Sequence, residues 1–434
     1  MRSGLIIVAA ALGAMSLAVL VGFGILDLAT TLLVSVLLAV VLPICHAATT
    51  DQDPWLWWVA SLAFLVKLVG SGVRYFVLFD IYGGVGDATG YHRSGVELAE
   101  VWRNGVIPGL DGSMGEGTQV LRWITGLVYV PHKPSMLGGF FMFATFAFLG
   151  QLLFYFAFRR AVPAGRLGIY ALLIFFLPVM VFWPSSIGKE SLMIFFLGLA
   201  TYAMARASTD FSPAWLVLAG AGLFGAGMIR PHMAALLTVA FALAALFGKA
   251  SWSARTTVRR LALLGIGVLL AAMSIGGFAG RFDLEQTGDV DPFVNEIERQ
   301  TQQGGSAVEG EQTFSPAALP AASLRVLFRP LPYEAHNLQA LANAVENTAL
   351  LALVVWKTPA MLRRIRNIRI PYVLMSAAFT VGFIIGFSPV FNLGILARQR
   401  SQAIPYLLAV VVALGWDLVP TMDPNRGRHL AEAS

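Results

Sequence analysis

Long apolar runs recur along this chain, each broken off by a proline, a glycine or a few charges. That pattern narrows the fold more than any motif does. Twelve runs can be marked: Gly4–Gly22, Ile25–Ile44, Trp55–Phe79, Ser135–Phe158, Leu167–Trp183, Leu192–Ala205, Pro213–Met228, His232–Phe247, Arg260–Ile275, Leu338–Trp356, Pro371–Phe387 and Gln402–Val419. Most lie near the roughly 17–25 residues that carry a helix across a bilayer. Inside the bilayer no water satisfies the backbone, so each run has to be an α-helix. Composition agrees: 57% of the 434 residues are hydrophobic and 12% are charged, where a soluble domain carries about a quarter charged. The short alternating segments of a transmembrane barrel are missing from the sequence. The chain reads as an all-α polytopic integral membrane protein with twelve transmembrane helices, one transmembrane domain over residues 1–434.

Charge orients the stack. Arg159, Arg160 and Arg166 fall in one short loop; Lys249, Arg255, Arg259 and Arg260 fall in another. Lys357, Arg363, Arg364, Arg366 and Arg369 fall in a third, and Arg426 and Arg428 in the tail. With twelve spans all of these lie on one side, which the positive-inside rule makes cytoplasmic, together with both termini. The expected location is the plasma or inner membrane of a cell, crossed many times. Met1-Arg2 followed by an apolar run reads as a retained first helix, because another span follows at once.

Other classes are excluded. The net charge of +6 comes from basic residues scattered between apolar segments, not from a patch, so no nucleic-acid partner is expected. The single Cys45 rules out a disulfide framework or a cysteine metal cluster, and reads as a small core residue.

Two large loops fall on the external side, Asp80–Pro134 and Gly276–Asn337. The first holds two amphipathic helices, Tyr91–Arg103 and Gln119–Val130, of the kind that lie in the interfacial plane. The second holds Glu285–Gln312, poor in apolar residues and expected to be mobile, and returns to the membrane through Ala321–Phe328.

The external side also carries basic residues that the orientation rule disfavours: Lys189, Arg230, Arg325, Arg329, Arg398 and Arg400. Arginine forks match phosphate oxygens and lysine supplies a point charge. One such residue is ordinarily a side chain reaching for headgroups. A set recurring in Pro- and Gly-bounded turns points to the phosphate of a lipid-linked substrate. Ile187-Gly188-Lys189-Glu190 is no phosphate loop, since Trp183 stands five before Gly188 and Glu190 replaces the needed Ser or Thr. His336, Gln339, Asn343, Glu346 and Asn347 share one face of the span from Leu338. Polar groups there imply a cavity or a partner helix, and Glu346 favours the cavity. Lys67, Ser71 and Arg74 form a similar stripe. Asp80, Tyr91, His92 and Glu334 complete the candidate lining for an acceptor. Asp87, in Gly86-Asp87-Ala88-Thr89-Gly90-Tyr91-His92, is the candidate general base for removing a hydroxyl proton. Its ordinary alternative is a turn residue among glycines.

Asp87-x-x-x-Tyr91-His92-x-x-Gly95-x-x-Leu98, running on to Gly105, resembles the first external loop of polytopic glycosyltransferases that use polyprenyl-phosphate sugars, the GT-C class. The order of span, acidic loop, two interfacial helices and next span over Trp55–Phe158 is similar too. Ala88 stands where that class often has a second acid, and two spans precede the module. The rest of the chain, with its external arginines, resembles O-antigen and exopolysaccharide polymerases. The resemblance implies inverting transfer of a sugar from a polyprenyl-linked donor to a glycan or lipid acceptor, in envelope or exopolysaccharide assembly. Membrane lipids are the other expected partners. No cofactor is required, and a divalent cation is compatible. A lipid-linked glycan polymerase or ligase, or a multi-span transporter or flippase, remains as an alternative.

Overall fold

The computed structural model describes residues 27–107, 109, 116–210, 212–248, 319–335 and 337–418. The expected spans Gly4–Gly22 and Arg260–Ile275, the stretch Glu285–Gln312, and His336, Arg426 and Arg428 lie outside them. Every regular element among the described residues is helical. In chain order these are α1 Leu28–Ala47, α2 Leu56–Phe76 with a π-helical turn Val77–Ile81, α3 Asp87–Arg103, α4 Glu116–Tyr129 and α5 Met136–Ala161. Then come α6 Leu167–Phe176, α7 Pro178–Phe182, α8 Lys189–Thr209, α9 Pro213–Ile229, α10 Pro231–Phe247 and α11 Leu319–Phe328. The last four are α12 Leu338–Arg363, α13 Pro371–Phe387, α14 Leu393–Arg400 and α15 Ile404–Gly415.

Local chemistry sets several of the starts. The Asp27 side chain accepts Thr30 N–H at 2.8 Å, Asn337 accepts Ala340 N–H at 2.7 Å, and Asn392 accepts Ile395 N–H at 3.0 Å, each an N-cap. Proline occupies the first turn of α9, α10 and α13, where its missing N–H does no harm.

Among the described residues, five stretches are long and apolar enough to cross a membrane: Ala29–Ala47, Leu56–Ile81, Met136–Ala161, Lys189–Thr209 and Leu338–Arg363. Six shorter apolar helices accompany them. The burial pattern is inverted relative to a soluble protein. On α1, Leu32, Val36, Val40 and Ile44 are exposed at four-residue spacing, while Thr30, Val34, Val41 and Cys45 are buried. On α2, Leu62, Val69, Val73 and Phe76 face outward while Lys67 and Ser71 are buried. Such contiguous outward apolar stripes suit lipid, not water. The chain is built as an α-helical membrane protein.

The chain divides into two compact units. One comprises Met1–Thr145 with Ser185–Gly188; the other comprises Phe146–Pro184 with Lys189–Ser434. In the first, α3 and α4 pair, with Trp102 edge to face against Trp123 at 4.9 Å. Arg103 closes the pair by donating to the carbonyls of Tyr129 at 2.7 Å and His132 at 2.6 Å. In the second, α15 is apolar and buried on nearly every side, packed by α6, α12 and α13. The backbones of α5 and α8 approach so closely that a Cβ on Gly198 would overlap the Gly150 carbonyl. Small residues permit such crossings between membrane helices.

Three expected spans are revised. Leu167–Trp183 is not one helix: Leu177 is extended (φ −58°, ψ 131°) and the chain restarts at Pro178. Proline removes an N–H and bars its predecessor from helical geometry. Gln402–Val419 shortens to α15, because Trp416 turns extended. Leu192–Ala205 lengthens to α8, which brings Lys189 and Glu190 into a helical first turn.

Candidate functional site

The densest charge among the described residues lies in the second unit, and a carboxylate is at its centre. Glu190, in the first turn of α8, is buried; one of its oxygens accepts from Arg230 Nη2 at 2.7 Å and lies 3.1 Å from Arg398 Nε. Arg230 is buried at the α9–α10 junction, and Arg398, on α14, keeps about a third of its side chain exposed at 34%. Two guanidiniums thus converge on one oxyanion from separate elements. Lys189 is half-buried beside them, and its charge and that of Arg230 both act on His232.

Two residues along α14, Arg400 is fully buried. Its Nε donates to the Val326 carbonyl at 3.3 Å, and its two amino groups donate to Asn347 Oδ1 and the Arg329 carbonyl. With three protein acceptors, Arg400 ties α14 to α12 and to the end of α11; this is framework geometry. Arg329 forks onto Glu334, which also accepts Leu331 N–H at 2.8 Å. Burial alone would raise the Glu334 carboxyl, but the hydrogen bonds from Arg329 and Leu331 outweigh it and hold it below the usual range. Arg325 donates to the Ser388 carbonyl at 2.6 Å and covers the Phe391 ring at 4.3 Å. Lys189, Arg230, Arg325, Arg329, Arg398 and Arg400 all belong to the second unit, as do Glu190, Glu334 and Glu346.

Glu346 accepts Val179 N–H at 2.9 Å, across the break between α6 and α7. Gln151 of α5 donates to the Ile174 carbonyl at 2.8 Å from the other side of the break. These two buried side chains satisfy backbone groups that the interrupted helix frees. Glu346 is thus bonded to backbone instead of standing in open solvent. Asn343 is half-buried on the same helix.

The remaining candidates belong to the first unit. Asp87 is exposed and opens α3, so it is a helical first-turn residue and not a loop residue. Asp80 is exposed in the π-helical turn, and Tyr91 is buried. His92 is half-buried, its Nδ1 2.8 Å from the Tyr129 hydroxyl.

Comparison with known proteins adds no assignment. No family model, curated protein or solved structure matches this chain.

Sequence reasoning singled out Arg230, Arg398, Arg329 and Glu334, which the fold joins into ion pairs, but passed over Glu190 and Gln151. A charged set on the disfavoured side needs a counter-ion, and Glu190 was the acid nearest to it in sequence. Gln151 is a lone amide in an otherwise apolar run, a signal open to any reading of intramembrane polar residues.

Proposed function

We propose that this protein is a membrane glycosyltransferase that moves a sugar or glycan from a polyprenyl-(di)phosphate donor at the external face of a cell membrane. The observation that carries this reading is the convergence of Arg230 and Arg398 on one buried carboxylate oxygen. Two forks set around one oxyanion are also set for a phosphate oxygen. In this reading Arg230 and Arg398 grip the phosphate, with Lys189, Arg325 and Arg329 supplying further field, and Arg400 keeps the frame. For the acceptor's proton, the GT-C resemblance names Asp87 as the base. Twelve spans with both termini cytoplasmic complete the topology, in envelope or exopolysaccharide assembly.

The test is transfer in proteoliposomes from a radiolabelled polyprenyl-diphosphate sugar. Arg398→Ala should raise the donor KM at least tenfold, about 1.4 kcal/mol of binding, while the folded yield holds. Wild-type donor KM in that variant would remove the grip.

One observation favours a transporter as the second reading. The break at Leu177–Pro178, with Gln151 and Glu346 on its freed backbone groups, is of the kind that lines substrate paths in transporters. Solute movement into liposomes without consumption of a lipid-linked sugar would select that reading.

A further inference from the structure

The cations near the C-terminal end of α12 are of two kinds. Those half-buried against the protein are answered: Arg364 pairs with Asp417, and Lys357 lies between the Trp356 and Trp416 rings at 3.7 and 3.9 Å. Arg363, Arg366 and Arg369 are exposed, and meet no hydrogen-bond or ion-pair partner among the described residues. The sequence supplies none nearby, since no acidic residue stands between Glu346 and Asp417.

Backbone geometry sets the three arginines together. Arg363 closes α12, and Ile365–Arg369 forms a 3₁₀ turn ahead of α13. Asn367 N–H donates to the Arg364 carbonyl at 2.8 Å, and Ile370 N–H donates to the Asn367 carbonyl at 3.0 Å. The turn packs on α12, α13 and α15, which fixes its position within the second unit. Side chains three apart eclipse in a 3₁₀ helix, so Arg366 and Arg369 leave the same side about 6 Å apart along its axis. Two like charges at that spacing repel each other, and an anion between them removes the repulsion. Guanidinium forks match phosphate oxygens in particular.

Next to this basic cap the surface is apolar. Leu341, Val345, Val355 and Leu362 are exposed along α12. Their helical spacing puts them on one face, and that face runs out at Arg363. Arg363 stands about 12 Å along the axis from Val355. Trp356, 68% exposed, lies between the two zones, as tryptophans do at headgroup level. A soluble anion would use the cap alone; a phospholipid matches both zones, phosphate on the arginines and acyl chain on the stripe.

We propose that the α12–α13 junction is a seat for an anionic phospholipid. Arg363, Arg366 and Arg369 hold the headgroup phosphate, and an acyl chain lies on the exposed face of α12. The seat is separate from the Arg230–Arg398 grip, whose guanidiniums share a buried carboxylate, and it does not depend on what the protein transfers.

The test uses full-length protein in detergent micelles with equal amounts of phosphatidylglycerol and phosphatidylcholine of identical chains. Native mass spectrometry reads which lipid stays bound. The wild type should retain the anionic lipid at least about fivefold over the neutral one. Replacing all three arginines (Arg363→Gln, Arg366→Gln and Arg369→Gln) should bring the ratio close to one, with the wild-type melting temperature in phosphatidylcholine alone. Arg366→Gln by itself should lower the ratio in the same direction, which keeps the seat testable if the triple variant folds poorly. Arg93→Gln, at an exposed arginine of α3, should keep the wild-type ratio. A ratio unchanged in the arginine variants, or lowered equally by Arg93→Gln, overturns the seat. Release of the anionic lipid by a millimolar excess of inorganic phosphate would make it a soluble-anion site instead. A wild-type ratio of one would mean that an acidic segment of protein, and not lipid, covers the arginines.

Discussion

Glu190 shares one oxygen between two arginines, with both members of the Glu190–Arg230 pair only 6% exposed. Removing a partner from a buried ion pair is far more harmful than its net strength suggests, because a charge is left without compensation. Glu190→Gln should therefore destabilise by about 3–5 kcal/mol, read as a lowered unfolding midpoint in detergent. A change below about 1 kcal/mol would mean that water reaches the arginines, as at a surface pair. Glu334 gives a pH-dependent counterpart. Its folded carboxyl lies below its ordinary value of 4.5, so the bond to Arg329 contributes fully above that value and is lost as pH falls through the lower folded one. Midpoints for Glu334→Gln and wild type should converge as pH drops below 4.5 and separate above it. At this scale the sequence was half legible. Arg230 and Arg398 stood out as cations on the wrong side of a membrane, but their shared partner did not, since residues 190, 230 and 398 meet only through the fold.

The interrupted helix shows what periodicity conceals. Leu167–Trp183 is apolar on both sides of Pro178, so composition reads as one span, while the proline ends α6 and restarts the chain as α7. The freed Val179 N–H is answered by Glu346 from 167 residues away. Glu346→Leu should leave that N–H unsatisfied and cost about 1–3 kcal/mol; Glu346→Gln, which keeps an acceptor, should cost less. Equal losses in the two variants would show that the charge and not the acceptor matters. At the α5–α8 crossing, Gly198→Val should destabilise by at least about 1–3 kcal/mol through overpacking against Gly150. Thermal melts of both variants give the measurement. Helix existence was readable from the sequence, and helix ends were less so. α3 begins at Asp87, ahead of the expected Tyr91, because Gly86 is extended and the first turn tolerates an acid.

Across the second unit, ionic contacts gather at both ends of α8. Near its start Glu190 meets Arg230 and Arg398; just past its end Asp210 meets Arg160 and Arg206. Asp417 joins this latter character, paired with Arg364 and accepting from Arg166 through its carbonyl. Lys357 sits between the Trp356 and Trp416 rings at 3.7 and 3.9 Å. Arg166, Arg364 and Lys357 come from loops that charge counting assigned to one side, and Arg230 and Arg398 from the other. The membrane character was legible because lipid contact selects apolar residues over whole helices. The units were not, because nothing in composition changes at Thr145 or Gly188.

Those two ionic groups bracket a 21-residue helix, which at 1.5 Å per residue separates them by about 30 Å. The spacing acts as a built-in gauge of hydrocarbon thickness. In bilayers of short acyl chains apolar helix ends would be left in headgroups; in long ones Arg160 and Asp210, or Arg398, would be drawn into lipid. Each ångström of such hydrophobic mismatch costs a fraction of a kcal/mol. Melting temperature should therefore pass through a maximum as chain length rises from fourteen to twenty-two carbons, peaking where the hydrocarbon core is about 30 Å thick.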